Sequence, residues 1–204
     1  MSDPTLPLPL DGMRFKGERD YLQGADILSI VLRAVCGERD MGVLADIDIV
    51  FHALARTSLT LLADAPPGSE PPVQLSCSID GVPRRFVLVE DARPIVRREP
   101  YPEDQIVAVT TIDVPSATAT SGGVLPFTNI ERWIAMVKAL HHAVYPQAKG
   151  KWLFVRARLA SYHDACGEAV EHRVSIQSDF RGKLTRSALT VDGRSLGDIF
   201  FVLA

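Results

Sequence analysis

The residue types best suited to chemistry lie together in the segment GERDYLQGAD, directly ahead of an apolar helix. Asp20 and Asp26 supply two carboxylates, and Arg19 and Tyr21 are side chains that can position a polar ligand. Gly24 lacks a side chain, so a ligand can approach the backbone closely there. A carboxylate at this place either takes part in a reaction or accepts hydrogen bonds from the first N–H groups of the helix. Both roles stay open for Asp26, and Asp20 is equally compatible with an ordinary loop position.

A third carboxylate, Glu131, lies at the start of a second helix. Thr128 stands three positions earlier, and this spacing predicts a capping box, in which each side chain accepts a hydrogen bond from the other residue's backbone N–H. The capping role accounts for Glu131 without catalysis, and a catalytic helix acid is the alternative. Asn129, at the same helix start, is a candidate substrate contact.

The histidines divide into one candidate ligand contact and several core positions. His52 follows a strand pattern, so it faces either a substrate groove or solvent. His141 and His172 stand in apolar patterns and are predicted to be core or boundary residues. His141 and His142 are adjacent and therefore point about 100° apart around a helix, which does not suit a metal pair. The sequence predicts no metal site.

The sequence also lacks the motifs that hold common cofactors. It contains no phosphate-binding loop, no nucleophile elbow and no dinucleotide fingerprint, so no cofactor is expected.

The three cysteines, Cys36, Cys77 and Cys166, are far apart and form no C-x-x-C pair. This pattern favours a reducing compartment and a cytoplasmic protein. Cys36 and Cys77 fall on apolar faces and are predicted to be small core residues.

Two helices position the candidate residues. FTNIERWIAMVKALHHAVY, residues 127–145, has apolar residues at the i, i+3, i+4, i+7 spacing that places one stripe against a core. Pro146 discourages continuation of this helix. The earlier segment ADILSIVLRAVC is apolar nearly all round and is therefore expected to be buried on most faces, with Gly37 as its end.

Strand patterns follow both helices, and the order of elements repeats. SIDGVPRRFVLVE and TVDGRSLGDIFFVLA each predict a strand, an Asp-Gly turn and an aromatic-containing strand, about 110 residues apart. We interpret the chain as an N-terminal extended arm (1–12), a first unit (13–103) and a second unit (104–204) of an α+β protein. Strands are also predicted at 44–52, 57–63, 105–114, 151–159 and 170–176, and 115–123 is predicted to be a loop.

The composition is that of an ordinary globular protein. Of 204 residues, 47% are hydrophobic and 23% are charged, with a formal net charge of -3. Such a charge offers no field for nucleic acid or for anionic lipid, so neither is an expected partner. A helix needs about 18 consecutive apolar residues to cross a membrane, and the sequence contains no such stretch.

The repeated unit, an apolar helix followed by long antiparallel strands and a VDG-type hairpin, resembles the hotdog family, in which a sheet wraps around a central helix. GKWLFVRARLASYHDACGEAVEHRVSIQS and LTVDGRSLGDIFFVLA resemble the hotdog strands after the helix, and IDIVFHALARTSLTL and VQLSCSIDGVPRRFVLV occupy the matching places in the first unit. The resemblance extends from about Met13 to the end and implies a tandem double hotdog. It rests on a pattern of elements, without a signature motif.

The resemblance implies binding of an acyl thioester, carried on coenzyme A or on an acyl carrier protein, and thioesterase or dehydratase chemistry. Dehydratases of the family carry a His before the helix, which this sequence lacks at both helices. Some thioesterases carry instead an Asp there, as base or nucleophile, and Asp20 and Asp26 match that place. A degenerate, non-catalytic binding or scaffold protein is the alternative. The exposed sheet edges of such units allow a homodimer.

Overall fold

The computed structural model describes residues 6–37, 43–163 and 170–204. The chain divides into two compact units, Met1–Tyr101 and Pro102–Ala204. The repeat in the sequence predicts a division between residues 103 and 104. Each unit contains one long helix and its own set of antiparallel strands.

The first unit combines helix α1 (Gly24–Cys36) with a mostly antiparallel arrangement of strands. The strands are β1 (Leu8–Pro9), β2 (Phe15–Lys16), β3 (Leu44–Phe51), β4 (Leu59–Leu62), β5 (Val73–Ile79), β6 (Val82–Glu90) and β7 (Arg98–Glu99). The sheet has the order β1-β4-β6-β5-β3, and all its neighbours are antiparallel. β2 and β7 form a separate parallel pair, which places two distant parts of the chain side by side.

Helix α1 supplies the core of the first unit. Its apolar residues are buried almost all round, as the sequence predicts, and it ends at Gly37, whose φ of 61° suits a residue without a side chain. It shares the core with buried strand residues, among them Ile49, Leu75 and Leu88. Burial of each such side chain contributes about 1.5–3 kcal/mol, which makes packing the main reason that these elements stay together.

The N-terminal arm, which the sequence predicts to be extended and separate from the fold, is instead part of this packing. Leu8 and Pro9 pair with Leu61 and Thr60 of β4, and the side chain of Leu10 is buried. The arm is extended at this point, as a proline-rich segment should be. It also covers the edge of β4, which would otherwise expose unpaired backbone groups.

The second unit combines helix α2 (Glu103–Ala108) and helix α3 (Asn129–Val144) with one antiparallel sheet. The strands are β8 (Thr110–Asp113), β9 (Thr118–Gly122), β10 (Trp152–Ser161), β11 (Glu171–Phe180), β12 (Leu184–Val191) and β13 (Arg194–Leu203). Their order is β10-β13-β12-β11-β9-β8. α3 buries its apolar stripe, including Ile130, Trp133, Val137 and Leu140.

Two local predictions in this unit are wrong in part. The predicted strand 105–114 is instead helix α2 followed by the short strand β8, and the predicted loop 115–123 contains strand β9. α2 is stabilised from outside its own sequence, because Lys138 of α3 donates a hydrogen bond of 2.7 Å to Glu103 and Ile106 is fully buried. β9 consists of small residues without apolar alternation, and its pairing with β11 makes it a strand.

The two predicted Asp-Gly hairpins are confirmed and are nearly identical. The φ angles are 50° and 78° at Asp80 and Gly81, and 47° and 76° at Asp192 and Gly193. Positive φ at both central residues is the mark of the type I′ turn, whose twist matches that of the strands it joins. The hairpin portion of the internal repeat is therefore present in the backbone as well as in the sequence.

Candidate functional site

A buried ion pair lies at the start of α1. Asp26 is the third residue of the helix, and its Oδ1 atom lies 2.8 Å from Nζ of Lys16. The two side chains are 7% and 6% exposed. Lys16 belongs to β2, whose backbone is fixed by its pairing with β7. Opposite charges buried at this distance stabilise one another, whereas either one alone would be costly to keep out of water.

Further charged groups surround this pair. Nη2 of Arg14 lies 3.9 Å from the same Oδ1 atom of Asp26, and Nε of Arg14 lies 2.8 Å from Oε2 of Glu99. The first N–H groups of α1 add the partial positive charge of a helix N-terminus. Asp26 therefore lies in a region of positive potential.

An aromatic ring closes one side of the cluster. The ring of Tyr101 lies 5.4 Å from Nζ of Lys16 and 5.3 Å from the guanidinium carbon of Arg19, distances that suit cation–π attraction. In the amide orientation that satisfies both groups, the side-chain oxygen of Gln23 accepts a hydrogen bond of 2.9 Å from Arg19. Arg19, predicted as a positioning residue, thus lies beside the residue that precedes α1.

The loop between β2 and α1 is held by Arg98 of β7. Its guanidinium donates to the carbonyl oxygens of Gly17 and Arg19, and it lies 5.3 Å from the ring of Phe15. A planar group with several donors can hold two carbonyls at once. The loop that carries the candidate residues therefore has a defined conformation.

Two of the predicted site residues lie on the surface. The side chain of Asp20 is 79% exposed, and its carboxylate lies 3.6 Å from Nε of Arg56. His52 is exposed just beyond the end of β3. The ion pair of Asp20 is open to water and salt, which weaken it.

Other predicted residues lie nearer to the ion pair along the chain. Gly24 is the first residue of α1, so its backbone belongs to the helix N-terminus, and Tyr21 is half-buried in the preceding loop. The structure brings Arg19 and Asp26 into one cluster around Lys16 and Tyr101.

Sequence reasoning missed much of this cluster. It did not predict Lys16, Arg14, Glu99 or Tyr101 as site residues. Lys16 stands in a short, highly charged stretch with no period that marks it as buried. Only the pairing of β2 with β7 brings Glu99 next to it, and no local signal encodes that pairing.

In the second unit, Glu131 caps α3. Its Oε2 atom accepts a hydrogen bond of 2.9 Å from the backbone N–H of Thr128, and its own N–H donates to Oγ1 of Thr128 at 3.2 Å. The predicted capping box is confirmed. Asn129 is the first residue of α3. The buried carboxylate of Glu131 therefore stabilises the start of α3, independently of any catalytic role.

Arg132, the neighbour of Glu131, is buried and binds the segment that leads into α3. Its guanidinium donates to Oγ of Ser121 and to the carbonyl oxygens of Gly122 and Gly123, with the shortest bond 2.6 Å. Burial lowers the pKa of this guanidinium. These bonds connect the end of β9 to the first turn of α3.

His141 and His172 lie in the core of the second unit, as the sequence predicts. Nε2 of His141 shares a hydrogen bond of 2.7 Å with Oγ1 of Thr185, and its ring stacks on Trp152 at 4.1 Å. Burial lowers the pKa of His141 to about 3. Nε1 of Trp133 donates to Nδ1 of His172 at 3.0 Å, and burial lowers the pKa of His172 to about 4. Both rings are neutral at pH 7.

The described cysteines, Cys36 and Cys77, are buried, in agreement with the core positions predicted for them. Burial raises the pKa of Cys77 to about 11, which keeps the thiol protonated and unreactive at pH 7. Cys166 lies outside the described residues.

Within the described ranges, no group of three His, Cys, Asp or Glu side chains is placed to hold a metal ion, and no helix is long and apolar enough to cross a membrane.

Comparison with known proteins identifies the fold. Neither a family model nor a curated protein sequence matches the chain. Among solved structures, a TesB protein from Mycobacterium avium subspecies paratuberculosis is similar with a TM-score of 0.52 and 13% identity, over 95% of this chain and 91% of that one. The dehydratase domain of RzxB from Pseudomonas fluorescens is similar with a TM-score of 0.50 and 11% identity, over 92% of each chain.

A third structure is similar along nearly the whole chain. It is the dehydratase domain of PpsC from Mycobacterium tuberculosis in complex with an acyl-coenzyme A, with a TM-score of 0.50 and 12% identity, over 99% of this chain and 91% of that one. Identity at this level shows the fold and leaves the chemistry open. The chain shares the hotdog-type α+β fold of these two dehydratase domains and of the TesB protein.

Proposed function

We propose that this chain is a tandem of two hotdog units that binds acyl thioesters carried on coenzyme A or on an acyl carrier protein. The observation that supports this most is the likeness over more than nine-tenths of both chains to two dehydratase domains and a TesB protein, one of them holding an acyl-coenzyme A. The tandem arrangement is supported by the two compact units, each with a long helix and a type I′ Asp-Gly hairpin.

We place the thioester at the start of α1 in the first unit. The first N–H groups of the helix can donate to the thioester carbonyl oxygen and stabilise the negative charge that develops on it. Gly24 leaves this end of the helix open to close approach, and Arg19 and Tyr21 are proposed to position the carrier. His52 and Asn129 remain proposed substrate contacts that lie apart from the ion pair along the chain.

Asp26 is the proposed catalytic carboxylate of this site. In hydrolysis it takes a proton from a water molecule, whose oxygen attacks the thioester carbon. The C–S bond then breaks, and the leaving sulfur takes up the proton. Lys16 holds the carboxylate at 2.8 Å and thereby fixes its orientation. We favour hydrolysis over dehydration, because neither helix is preceded by the His that a dehydratase would use as base.

The environments of the three candidate carboxylates favour a second function, which is non-catalytic binding of the same thioesters. Asp26 is paired with Lys16, Glu131 is occupied by its capping box, and Asp20 is open to solvent. A carboxylate held by a buried ammonium is a weak base, since protonation would break the pair. A binding or scaffold role requires the helix N-terminus and needs no free carboxylate.

A panel of thioesters separates these functions. The purified chain is incubated with acyl-CoA and 3-hydroxyacyl-CoA of several lengths while free thiol and enoyl product are measured, and binding is measured by calorimetry. Thiol release supports the thioesterase, and enoyl formation supports a dehydratase. Binding without either product supports the non-catalytic role, and the absence of any binding, with carrier-protein thioesters included, refutes the proposal.

Variants connect the result to the site. Asp26→Asn should abolish turnover and keep thioester binding if Asp26 is the base. Asp20→Asn, which removes an exposed carboxylate from the same loop, is the matched control and should keep full turnover. Equal turnover of Asp26→Asn and the unmodified chain would remove Asp26 from the mechanism.

We also propose a cytoplasmic location and a homodimer, the latter tested by light scattering.

A further inference from the structure

The sheet of the first unit carries an open cavity of about 490 Å³ on the strands β3, β5 and β6. Asp46 of β3, Ser76 and Ser78 of β5 and Arg85 of β6 belong to its lining. We call it the serine cavity and define it by these four residues. Its volume lies within the range of about 300–1,000 Å³ that is typical of small-molecule sites. It shares no residue with the ion pair at the start of α1, so it is a separate place for a ligand.

The middle strand, β5, forms the floor of the serine cavity, because β5 lies between β3 and β6 in the sheet. Leu75 and Cys77 of β5 are buried. Successive side chains of a strand point to opposite faces, so the hydroxyls of Ser76 and Ser78 project from the other face. The register places Arg85 of β6 directly opposite Ser76, and side chains in such a pair share a face. A guanidinium therefore stands beside the hydroxyls of the floor.

A β-bulge in β3 brings the carboxylate of Asp46 to the same cavity. The register of β3 against β5 shifts between Ala45 and Asp48, so Asp46 and Ile47 together stand opposite one residue of β5. The extra residue changes the phase of the strand, with the result that Ile47 is buried and Asp46 is exposed. The φ of Asp46 is 50°, a left-handed conformation that aspartate tolerates better than most residues. Bulges are frequent beside functional sites, where they re-aim a side chain.

The charges of Asp46 and Arg85 are of opposite sign and stand on different strands. Two strand spacings of about 4.8 Å place the backbones of β3 and β6 about 10 Å apart. Within the described part of the chain, Asp46 and Arg85 form no ion pair with one another or with other side chains. Arg84 also lines the cavity, but its guanidinium donates to the carbonyl oxygen of Pro83 at 3.4 Å and has a further partner. The positive charge that a ligand can use is therefore that of Arg85.

We propose that the serine cavity binds a free α-amino acid with an uncharged polar side chain, a role that does not depend on thioester chemistry. The ammonium of the ligand pairs with Asp46. Its carboxylate accepts hydrogen bonds from Arg85 and from the hydroxyl of Ser76, and its side chain hydrogen-bonds to Ser78. Hydrogen bonds between charged groups are about twice as strong as neutral ones, so the two ends of the ligand supply most of the affinity.

The dimensions of such a ligand match the separation of the two strands. The ammonium nitrogen and a carboxylate oxygen of an α-amino acid lie about 3 Å apart, and a charge-assisted hydrogen bond of about 2.8 Å at each end extends the contacts to roughly 9 Å. Ligands with a single charge fit less well. An anion alone would be repelled by Asp46, and an ammonium alone would be repelled by Arg85.

The exposure of the two charged residues indicates weak binding. Asp46 and Arg85 are both exposed, so water and salt screen their attraction to a ligand. We expect a dissociation constant on the order of 1 mM, and weaker binding as the salt concentration rises.

The test uses the isotopically labelled full chain at pH 6.5 and follows amide chemical shifts during a titration. The probe is L-glutamine, which carries both charges and a polar side chain. N-acetyl-L-glutamine lacks the ammonium and L-glutaminamide lacks the carboxylate, so each is a matched control for one contact. We expect L-glutamine to bind with shifts concentrated in β3, β5 and β6, and each control to bind at least tenfold more weakly.

Substitution of the two charged residues assigns each contact. Asp46→Asn keeps a residue type that tolerates positive φ, and it should weaken binding of L-glutamine at least tenfold without weakening that of N-acetyl-L-glutamine. Arg85→Gln should weaken binding of L-glutamine to the same extent and should no longer distinguish it from L-glutaminamide. The controls Asp64→Asn and Arg194→Gln make the same changes at exposed residues outside the cavity and should bind within about twofold of the unmodified chain.

The thermal midpoint of each variant is compared with that of the unmodified chain. If Arg85→Gln is unfolded, Arg85→Lys takes its place. It keeps the charge, loses the planar group that binds a carboxylate through two donors, and should also weaken binding of L-glutamine.

Four outcomes would overturn the proposal. Equal affinity for L-glutamine and one of its two analogues would mean that a single charge is recognised. Equal losses in the cavity variants and in their controls would mean that net charge governs binding. Shifts outside β3, β5 and β6 would place the contact elsewhere, and the absence of shifts at about 20 mM L-glutamine would show that the cavity takes no such ligand.

Discussion

The buried ion pair of Asp26 and Lys16 allows a quantitative prediction about the stability of the first unit. Removal of one partner of a buried pair leaves an uncompensated charge and costs about 3–5 kcal/mol. The two partners should differ, however. Asp26→Leu leaves the ammonium of Lys16 near Arg14, whose guanidinium lies 3.9 Å from the lost carboxylate, and near the positive end of α1. We therefore expect this variant to lose about 4 kcal/mol of unfolding free energy.

Lys16→Met should cost less than Asp26→Leu. The remaining carboxylate of Asp26 keeps Arg14 at 3.9 Å and the first N–H groups of α1, which together favour a negative charge. We expect a loss of about 2 kcal/mol. The double variant Lys16→Met/Asp26→Leu removes both charges, so its loss should fall well below the sum of the single losses, by at least about 2 kcal/mol.

Urea denaturation of the four proteins of this cycle measures the coupling free energy between the two side chains. The exposed pair of Asp20 and Arg56, at 3.6 Å, supplies the control cycle, in which coupling should stay below about 0.5 kcal/mol. Two results would contradict this account of the ion pair: coupling in the buried pair no stronger than in the exposed pair, or a greater loss of stability in Lys16→Met than in Asp26→Leu.

Three further predictions concern the second unit. The pKa values of His141 and His172 are about 3 and 4 in the folded protein against an ordinary value of 6.5, so the unfolded chain binds more protons between these values. Stability should therefore fall as the pH falls below about 6.5, and replacement of His141 by Leu should make the urea midpoint less dependent on pH over this range. Thr128→Ala removes the side chain that caps α3 and should cost about 1 kcal/mol in urea denaturation. An unchanged urea midpoint would contradict this. Gly197→Ala should lower the stability measured by thermal unfolding by more than about 1 kcal/mol. The φ of Gly197 is +140°, and a Cβ there would overlap the carbonyl oxygen of Arg158. An unchanged thermal midpoint would contradict this.

The elements that could be predicted are those whose signals are local. The capping box of Thr128 and Glu131 depends on two residues three positions apart, and it is present in the structure as predicted. The two Asp-Gly turns are equally local, because positive φ angles favour these residue types whatever surrounds them. The buried position of His141 followed from the apolar stripe of its helix, and that of His172 from the alternating pattern of its strand.

The elements that could not be predicted depend on residues far away in the sequence. α2 stands where apolar residues suggested a strand, and Lys138 of α3 helps to hold it as a helix. β9 is a strand because β8 and β11 pair with it on both sides, although its own residues are small and polar.

The candidate site shows the same division. The sequence by itself determined that Asp26 stands at the start of an apolar helix, since helix periodicity and chain position suffice for that. Only the tertiary structure decided that Asp26 is buried against Lys16 while Asp20 faces solvent, because burial depends on the parallel pairing of β2 with β7, which joins opposite ends of the first unit. Periodicity specifies which face of an element is apolar, whereas long-range pairing specifies which charges meet across it.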